Sequence, residues 1–160
     1  MCSSDLKDVV LDIAGLSVND DVGLPAVRDV SLQVRAGEIV GIAGVEGNGQ
    51  RELVQALTGL RRCTATTLSV DGRDILNKTP HEIHAMGVGH VPEDRETDGI
   101  VGPYSVADNL VLDRFDEPQF ATRGVRNRGA IDSLATDLVS SFDIRTPSIK
   151  TTAQIGRAHV

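Results

Sequence analysis

An apolar run, Glu38-Ile-Val-Gly-Ile-Ala43, leads into Gly44-Val-Glu-Gly-Asn-Gly-Gln-Arg51, and an amphipathic run, Glu52-Leu-Val-Gln-Ala-Leu57, follows at once. Strand, glycine loop and helix in that order form the setting of a phosphate-cradling loop of pattern G-x-x-x-x-G-K-[ST]. Gly44 and Gly49 occupy the two glycine positions, Gln50 stands in the lysine position and Arg51 in the hydroxyl position. Such a loop binds phosphate chiefly through backbone N–H groups and the positive end of the following helix. The glycines at 44, 47 and 49 preserve that part. Without lysine the loop loses a charge-assisted contact of about 1.5–3 kcal/mol, although the Gln50 amide still donates a neutral N–H. Arg51 has no acceptor lone pair and cannot bind Mg²⁺ as Ser or Thr would. Nucleotide binding without turnover is therefore the expectation. The bland alternative is a glycine-rich turn with no ligand. A dinucleotide reading fails, because the third glycine it needs would fall at Glu52.

Upstream, residues 9–18 alternate as a strand interrupted at Gly15, and Asn19 to Pro25 is turn chemistry. A second strand over 26–34 places Val30, Leu32 and Val34 on one face. The continuous apolar run before the loop reads as a strand buried on both faces, as parallel strands under helices are. Downstream, residues 66–70 with the Asp71-Gly72 turn predict a short strand and hairpin. Thr79-Pro-His-Glu82 is a capping box opening a helix that stops at Gly87, and Val88 to Val91 reads as another strand. Ser105 caps a helix carrying Leu110, Val111 and Leu112. Residues 118–128 read as a polar loop, and Ile131, Leu134, Leu138, Val139 and Phe142 recur at helical spacing.

Composition narrows the classes. Hydrophobic residues make up 40% of the 160-residue chain, enough for a core, but aromatics only 2%, so that core is Val, Leu, Ile and Ala. A net charge of −7 argues against nucleic acid as a partner, since phosphate backbones need clustered Lys and Arg. There is no apolar window of membrane-spanning length and no leader pattern, and two cysteines make no disulfide framework. A soluble, cytoplasmic protein is expected.

The two ends are related to each other. Ile155-Gly-Arg-Ala-His-Val160 can be encoded ATC GGA AGA GCA CAC GTC, and the reverse complement of its opening codons, GTG TGC TCT TCC GAT, reads as a start followed by Cys2-Ser-Ser-Asp5. One adapter-like DNA sequence in opposite orientations accounts for both. Residues 1–6 and 155–160 are accordingly read as artefact, with Lys7 to Gln154 as insert. Cys2 and His159 then carry no function.

Taken together, Ala26 to Gly44 resembles the start of an ABC transporter nucleotide-binding domain. Gly47-Asn-Gly-Gln-Arg-Glu-Leu53 is similar to the second cassette of the double-cassette ATPase subunit of simple-sugar and nucleoside importers, whose second loop often lacks the lysine. Gly87-Val-Gly-His-Val-Pro-Glu-Asp-Arg95 resembles the family's VPEDR segment and makes Glu93 the counterpart of the Q-loop glutamine. Ser105-Val-Ala-Asp-Asn-Leu110 and Phe142-Asp-Ile-Arg145 resemble its helical subdomain. The resemblance implies an α/β, ABC-type P-loop NTPase fold, incomplete here, with an antiparallel β edge and P-loop core over 7–104 and a partial helical subdomain over 105–154. It implies ATP as cofactor, with Arg51 arguing against Mg²⁺ at this loop. The site residues would be Gly44, Val45, Glu46, Gly47, Asn48, Gly49, Gln50, Arg51 and Glu93, none of them catalytic. The partners implied are the other cassette of the same subunit and transmembrane permease subunits, and the location is the cytoplasmic face of the bacterial inner membrane. The Gly-Asn-Gly-Gln loop points to nucleosides over pentoses.

The family's signature motif would begin just after Thr152, so its catalytic strand is not in the chain, and no aromatic stands near Asp20–Val22 to stack adenine. A fragment inactive alone is expected, with Ile39–Ile42 and Val88–Val91 left uncovered and solubility poor. The alternatives are a stand-alone nucleotide-binding module and a piece with no function. Without the resemblance, Glu93 and Asp94 would equally be a solvated turn capped by Arg95. His81 and His84 read as a solvated helix face sooner than a metal site, His90 as a packed core residue, and Cys63 is assigned no role.

Overall fold

The structure is a computed structural model that describes residues 8–45, 47–94 and 96–153. The terminal segments assigned to artefact, together with Glu46 and Arg95, lie outside the described residues. The chain forms two compact units, one running to His90 and one starting at Val91.

In the first unit, β1 (Val9–Asn19) and β2 (Pro25–Arg35) pair antiparallel, and β3 (Thr67–Val70) and β4 (Arg73–Asp74) complete a four-stranded sheet of order β2-β1-β3-β4. The irregularity expected at Gly15 is a register shift between Ile13 and Leu16, with Gly15 at φ 66° facing Asp29 at φ 51° on β2. A bulge leaves ladder groups unpaired, and two serines take them up. Gly15 N–H donates to Ser31 Oγ at 2.9 Å, and Asp29 N–H donates to Ser17 Oγ at 3.0 Å. The inner face buries Ile13, Leu16, Val18, Val27 and Leu68 against Leu53 and Ala56 of α1 (Gln50–Leu57). The expected face of Val30, Leu32 and Val34 is half-buried between exposed Ser31 and Gln33.

The capping box forms as read. Helix α2 (Pro80–His84) starts with Glu82 N–H donating to Thr79 Oγ1 and Thr79 N–H donating to Glu82 at 2.8 Å. The chain leaves it through Gly87 at φ 92°, and Ile83 is the helix residue that enters the core.

Two expected strands do not form. Residues 38–43 and 88–91 are irregular, with Ile39 98%, Ile42 55% and Val91 84% exposed. An apolar run becomes a buried parallel strand only where neighbouring strands satisfy its backbone and helices cover its faces. No strand among the described residues pairs with either run. His90, read as a core residue, is exposed for the same reason.

In the second unit, Ser105 caps α3 (Val106–Asn109), which ends one residue short of Leu110, so the expected helix is a single turn. Its N–H groups at Val106 and Ala107 donate to the carbonyls of Thr151 and Ile149 at 2.9 Å. Helix α4 (Arg128–Ser141) begins at Asn127 and buries Ile131 and Ala135 with Ala107, Val111 and Phe120. Phe142, placed on the apolar stripe by its spacing, is the helix's last cap and is 74% exposed. The segment read as a loop contains a small hairpin, β5 (Ala121–Thr122) and β6 (Val125–Arg126). Arg123 at φ 52° and Gly124 at φ 78° supply its two-residue turn.

Candidate functional site

The glycine loop is held by its last glycine. Gly49, the residue before α1, is buried and sits at φ 90°, and a Cβ there would lie 2.5 Å from the Ala26 carbonyl oxygen on β2. Only glycine allows the loop to rest on that strand. Gly47, at φ 85°, turns the loop a second time with open space around it. Having no side chain, Gly49 cannot cap α1, and among the described residues no side chain takes up the helix's first N–H groups, which suit an incoming acceptor. The arrangement fits a phosphate group: a glycine-lined backbone curve ending in an uncapped helix N-terminus.

Gln50 closes the curve. Its side-chain amide folds back over the first glycine, so that a Cβ on Gly44 would fall 1.7 Å from Gln50 Nε2. Gly44 and Gln50, the two ends of the motif, are thus brought together. Arg51 is exposed, and Val45 is 73% exposed beside the exposed Gly44 and Asn48. Glu46 lies outside the described residues. Glu93 belongs to the second unit and is exposed. Its neighbour Asp94 accepts from the N–H groups of Glu96 and Thr97 and from the Thr97 hydroxyl at 2.8 Å, bonds that hold its carboxyl below the ordinary range. Of the acidic pair, it is Asp94 that closes a turn.

Two features beside the loop escape the sequence reading. A cleft of about 260 Å³ opens between the loop and β2, lined by Val27, Val30, Leu32, Ile42, Asn48 and Gln50. The alternation of Val30 and Leu32 was its only signal. The second feature is a clamp on the β1–β2 turn. Arg61, beyond the C-terminal end of α1, donates from Nη1 to the Asn19 carbonyl at 3.0 Å, from Nη2 to Asp21 at 2.5 Å and from Nε to Gln55 at 2.8 Å. The Arg61 bond and charge lower the Asp21 carboxyl, and Arg51 adds a smaller effect of the same sign. Spacing along the sequence, 40 residues between the partners, gives no hint of this pair.

No group of three or more His, Cys, Asp or Glu among the described residues could hold a metal ion. Cys63 is buried, its backbone N–H and C=O both bonded by the Asn77 side chain at 3.0 and 3.1 Å, and burial raises its thiol pKa.

A glycine loop docked on an antiparallel sheet and opening a helix defines the chain as a P-loop protein of the α/β class. Residues 27–154 match the family model described as ABC transporter, and the chain belongs to that family. It is 43% identical over 145 residues to the guanosine import ATP-binding protein NupO of Bacillus subtilis, covering 91% of this chain and 28% of the relative. It is 44% identical over 139 residues to the nucleoside import ATP-binding protein NupA of Lactococcus lactis, covering 87% and 28%. To the ribose import ATP-binding protein RbsA 1 of Rubrobacter xylanophilus it is 42% identical over 143 residues, covering 89% and 28%. The chain thus spans little more than a quarter of the length of the curated relatives it matches.

Proposed function

We propose that this chain is a nucleotide-binding cassette of the ATP-binding subunit of an importer for nucleosides or simple sugars, and that its loop holds ATP without cleaving it. The observation that carries the reading is the loop itself, where glycines at 44, 47 and 49 keep the backbone cradle while Gln50 and Arg51 replace the lysine and the hydroxyl. Gly44, Val45, Glu46, Gly47, Asn48, Gly49, Gln50 and Arg51 would surround the phosphates, and Glu93 would be the counterpart of the Q-loop glutamine. ATP supplies the phosphates, and Arg51, with donors only, offers Mg²⁺ no ligand.

The relatives' names support nucleoside and sugar import. The subunit would pair this cassette with a second one in the same polypeptide and act on membrane-embedded permease subunits from the cytoplasmic face. No helix among the described residues is long and apolar enough to cross a membrane, in keeping with a peripheral position. The exposed run Ile39 to Ile42, directly before the loop, favours a cassette completed by further strands over a stand-alone module.

The test is nucleotide binding and turnover by the intact polypeptide carrying these residues. Binding that is lost in Gly49→Ala, with ATP turnover unchanged by that substitution, is the expected result. Turnover that falls with Gly49→Ala would show that this loop hydrolyses ATP and would sink the holding role.

A further inference from the structure

Helix α3 is a single turn of four residues, far short of the length at which a helix holds itself together in water. What holds it lies outside it, on two sides. On one side residues 148–153 form a strap that meets 104–107 through an antiparallel bridge from Ser105 to Thr152. Val106 and Ala107 N–H donate to the Thr151 and Ile149 carbonyls at 2.9 Å, and Ala153 N–H donates to the Tyr104 carbonyl at 2.8 Å. Ile149 packs the strap against the apolar cluster that contains Ala107, Val111 and Ile131. On the other side the Asn109 carboxamide accepts from Val101 N–H at 2.8 Å and donates to the Val101 and Ser105 carbonyls at 3.0 and 3.1 Å. The turn 101–105 is thus folded around a side chain of α3. A third tie, from Asp108, runs to Arg126 and Arg128, whose side chains are 44% and 64% exposed. Pairs to exposed cations contribute little, so that tie alone does not hold the helix.

We propose that the strap, α3 and the 101–105 turn are one conformational switch, in which release of residues 148–153 unwinds α3 and frees Val101. Lifting the strap takes the partners of two of the helix's first N–H groups and uncovers Ala107 at the same moment, which one turn of helix cannot survive. Unwinding α3 displaces Asn109, and the 101–105 turn loses the side chain at its centre. The coupling is reciprocal, as any coupling between two sites is, so loosening the turn also loosens the strap. All of its parts belong to the second unit, and the switch does not depend on nucleotide. A contact that draws on the chain at Ala153 would be felt at Val101 without touching it.

The experiment is residue-resolved amide exchange on the intact polypeptide carrying these residues, in the wild type, Ile149→Ala, Ala153→Pro and Asn109→Ala. Ile149→Ala weakens the strap's apolar side, and Ala153→Pro deletes one of its donors. Both should speed exchange at Val101, by about tenfold in Ile149→Ala, while the amides of Ala135 to Leu138 in α4 keep their wild-type rates. Asn109→Ala should speed exchange at Ala153 in turn. In the wild type the amides of Val101, Val106, Ala107 and Ala153 should open together, with one dependence on denaturant. Faster exchange confined to the strap and α3, with Val101 unchanged, overturns the switch. So does equal acceleration in α4, which would mean that the whole unit opens. Should the variants fail to fold, wild-type amides that open with separate denaturant dependences overturn it without them.

Discussion

The Ser105 hydroxyl donates to the Asp108 carboxylate at 2.6 Å, and the Asp108 N–H donates back to Ser105 Oγ at 3.1 Å. This reciprocal pair closes the first turn of α3, and Arg126 and Arg128 both reach the same carboxylate from the segment that leads into α4. The Ser105 bond is the leading cause that lowers the Asp108 pKa from 3.8; burial opposes it, and Arg126 and then Arg128 add to the lowering. A carboxyl with a depressed folded pKa stabilises above its unfolded value and loses that contribution as pH falls through the folded one. The second unit should therefore lose stability below pH 3.8, and Asp108→Asn should flatten that slope in acid titrations followed by amide exchange. Ser105→Ala should cost about 1 kcal/mol, the usual effect of losing a cap.

Glycine substitutions should separate backbone strain from crowding. Gly23→Ala, at φ 84° with nothing near its Cβ, should cost about 1–2 kcal/mol, the penalty of a left-handed residue alone. Gly59→Ala should cost clearly more, since its Cβ would lie 2.5 Å from the Lys78 carbonyl oxygen at φ 76°. Denaturant midpoints of the two variants would check the order, and a reversed order would contradict the packing at Gly59.

Asn77 bonds both backbone groups of Cys63. Asn77→Ala should destabilise by about 1–3 kcal/mol, because a partly buried N–H and C=O lose their partner. In a Cys2→Ser background the rate of thiol labelling at Cys63 should rise in the variant. A buried thiol whose pKa is raised by desolvation reacts only when the unit opens.

The run before the loop should behave in opposite ways in two settings. In the isolated chain Ile39 is 98% exposed, and unpaired apolar segments template association. Ile39→Glu should shift this chain toward monomer in light scattering. In the intact polypeptide, where the run would pair between strands, the same change should lower soluble yield, as a buried unpaired charge does. Equal effects in both settings would contradict the pairing.

What the sequence disclosed and what it hid divide along physical lines. The capping box at Thr79 and Glu82, the Gly15 bulge and the Asp71-Gly72 turn each depend on a few adjacent residues, and each forms where it was expected. The runs Glu38–Ala43 and Val88–Val91 have strand composition, but a strand needs partners that no local pattern guarantees, and both stay irregular. The β5–β6 hairpin was missed because Arg123-Gly124 is flanked by strands of two residues each, too short for alternation to show. At the loop, the glycine spacing was legible. The Gln50 amide over Gly44 and the Arg61 clamp on Asp21 depend on side-chain reach and on contacts distant in sequence.

The sheet order β2-β1-β3-β4 combines two hairpin pairings close in sequence with one distant pairing, β1 with β3 (Leu11↔Val70 to Ala14↔Thr67), between which the chain passes through β2, the glycine loop and α1. Pairings of short sequence separation form quickly, and a chain leaving the ribosome presents its N-terminal part first. Everything needed to close this sheet is present once Asp74 has emerged, so during translation the phosphate loop would be anchored to β2 before the second unit, which starts at Val91, has emerged in full.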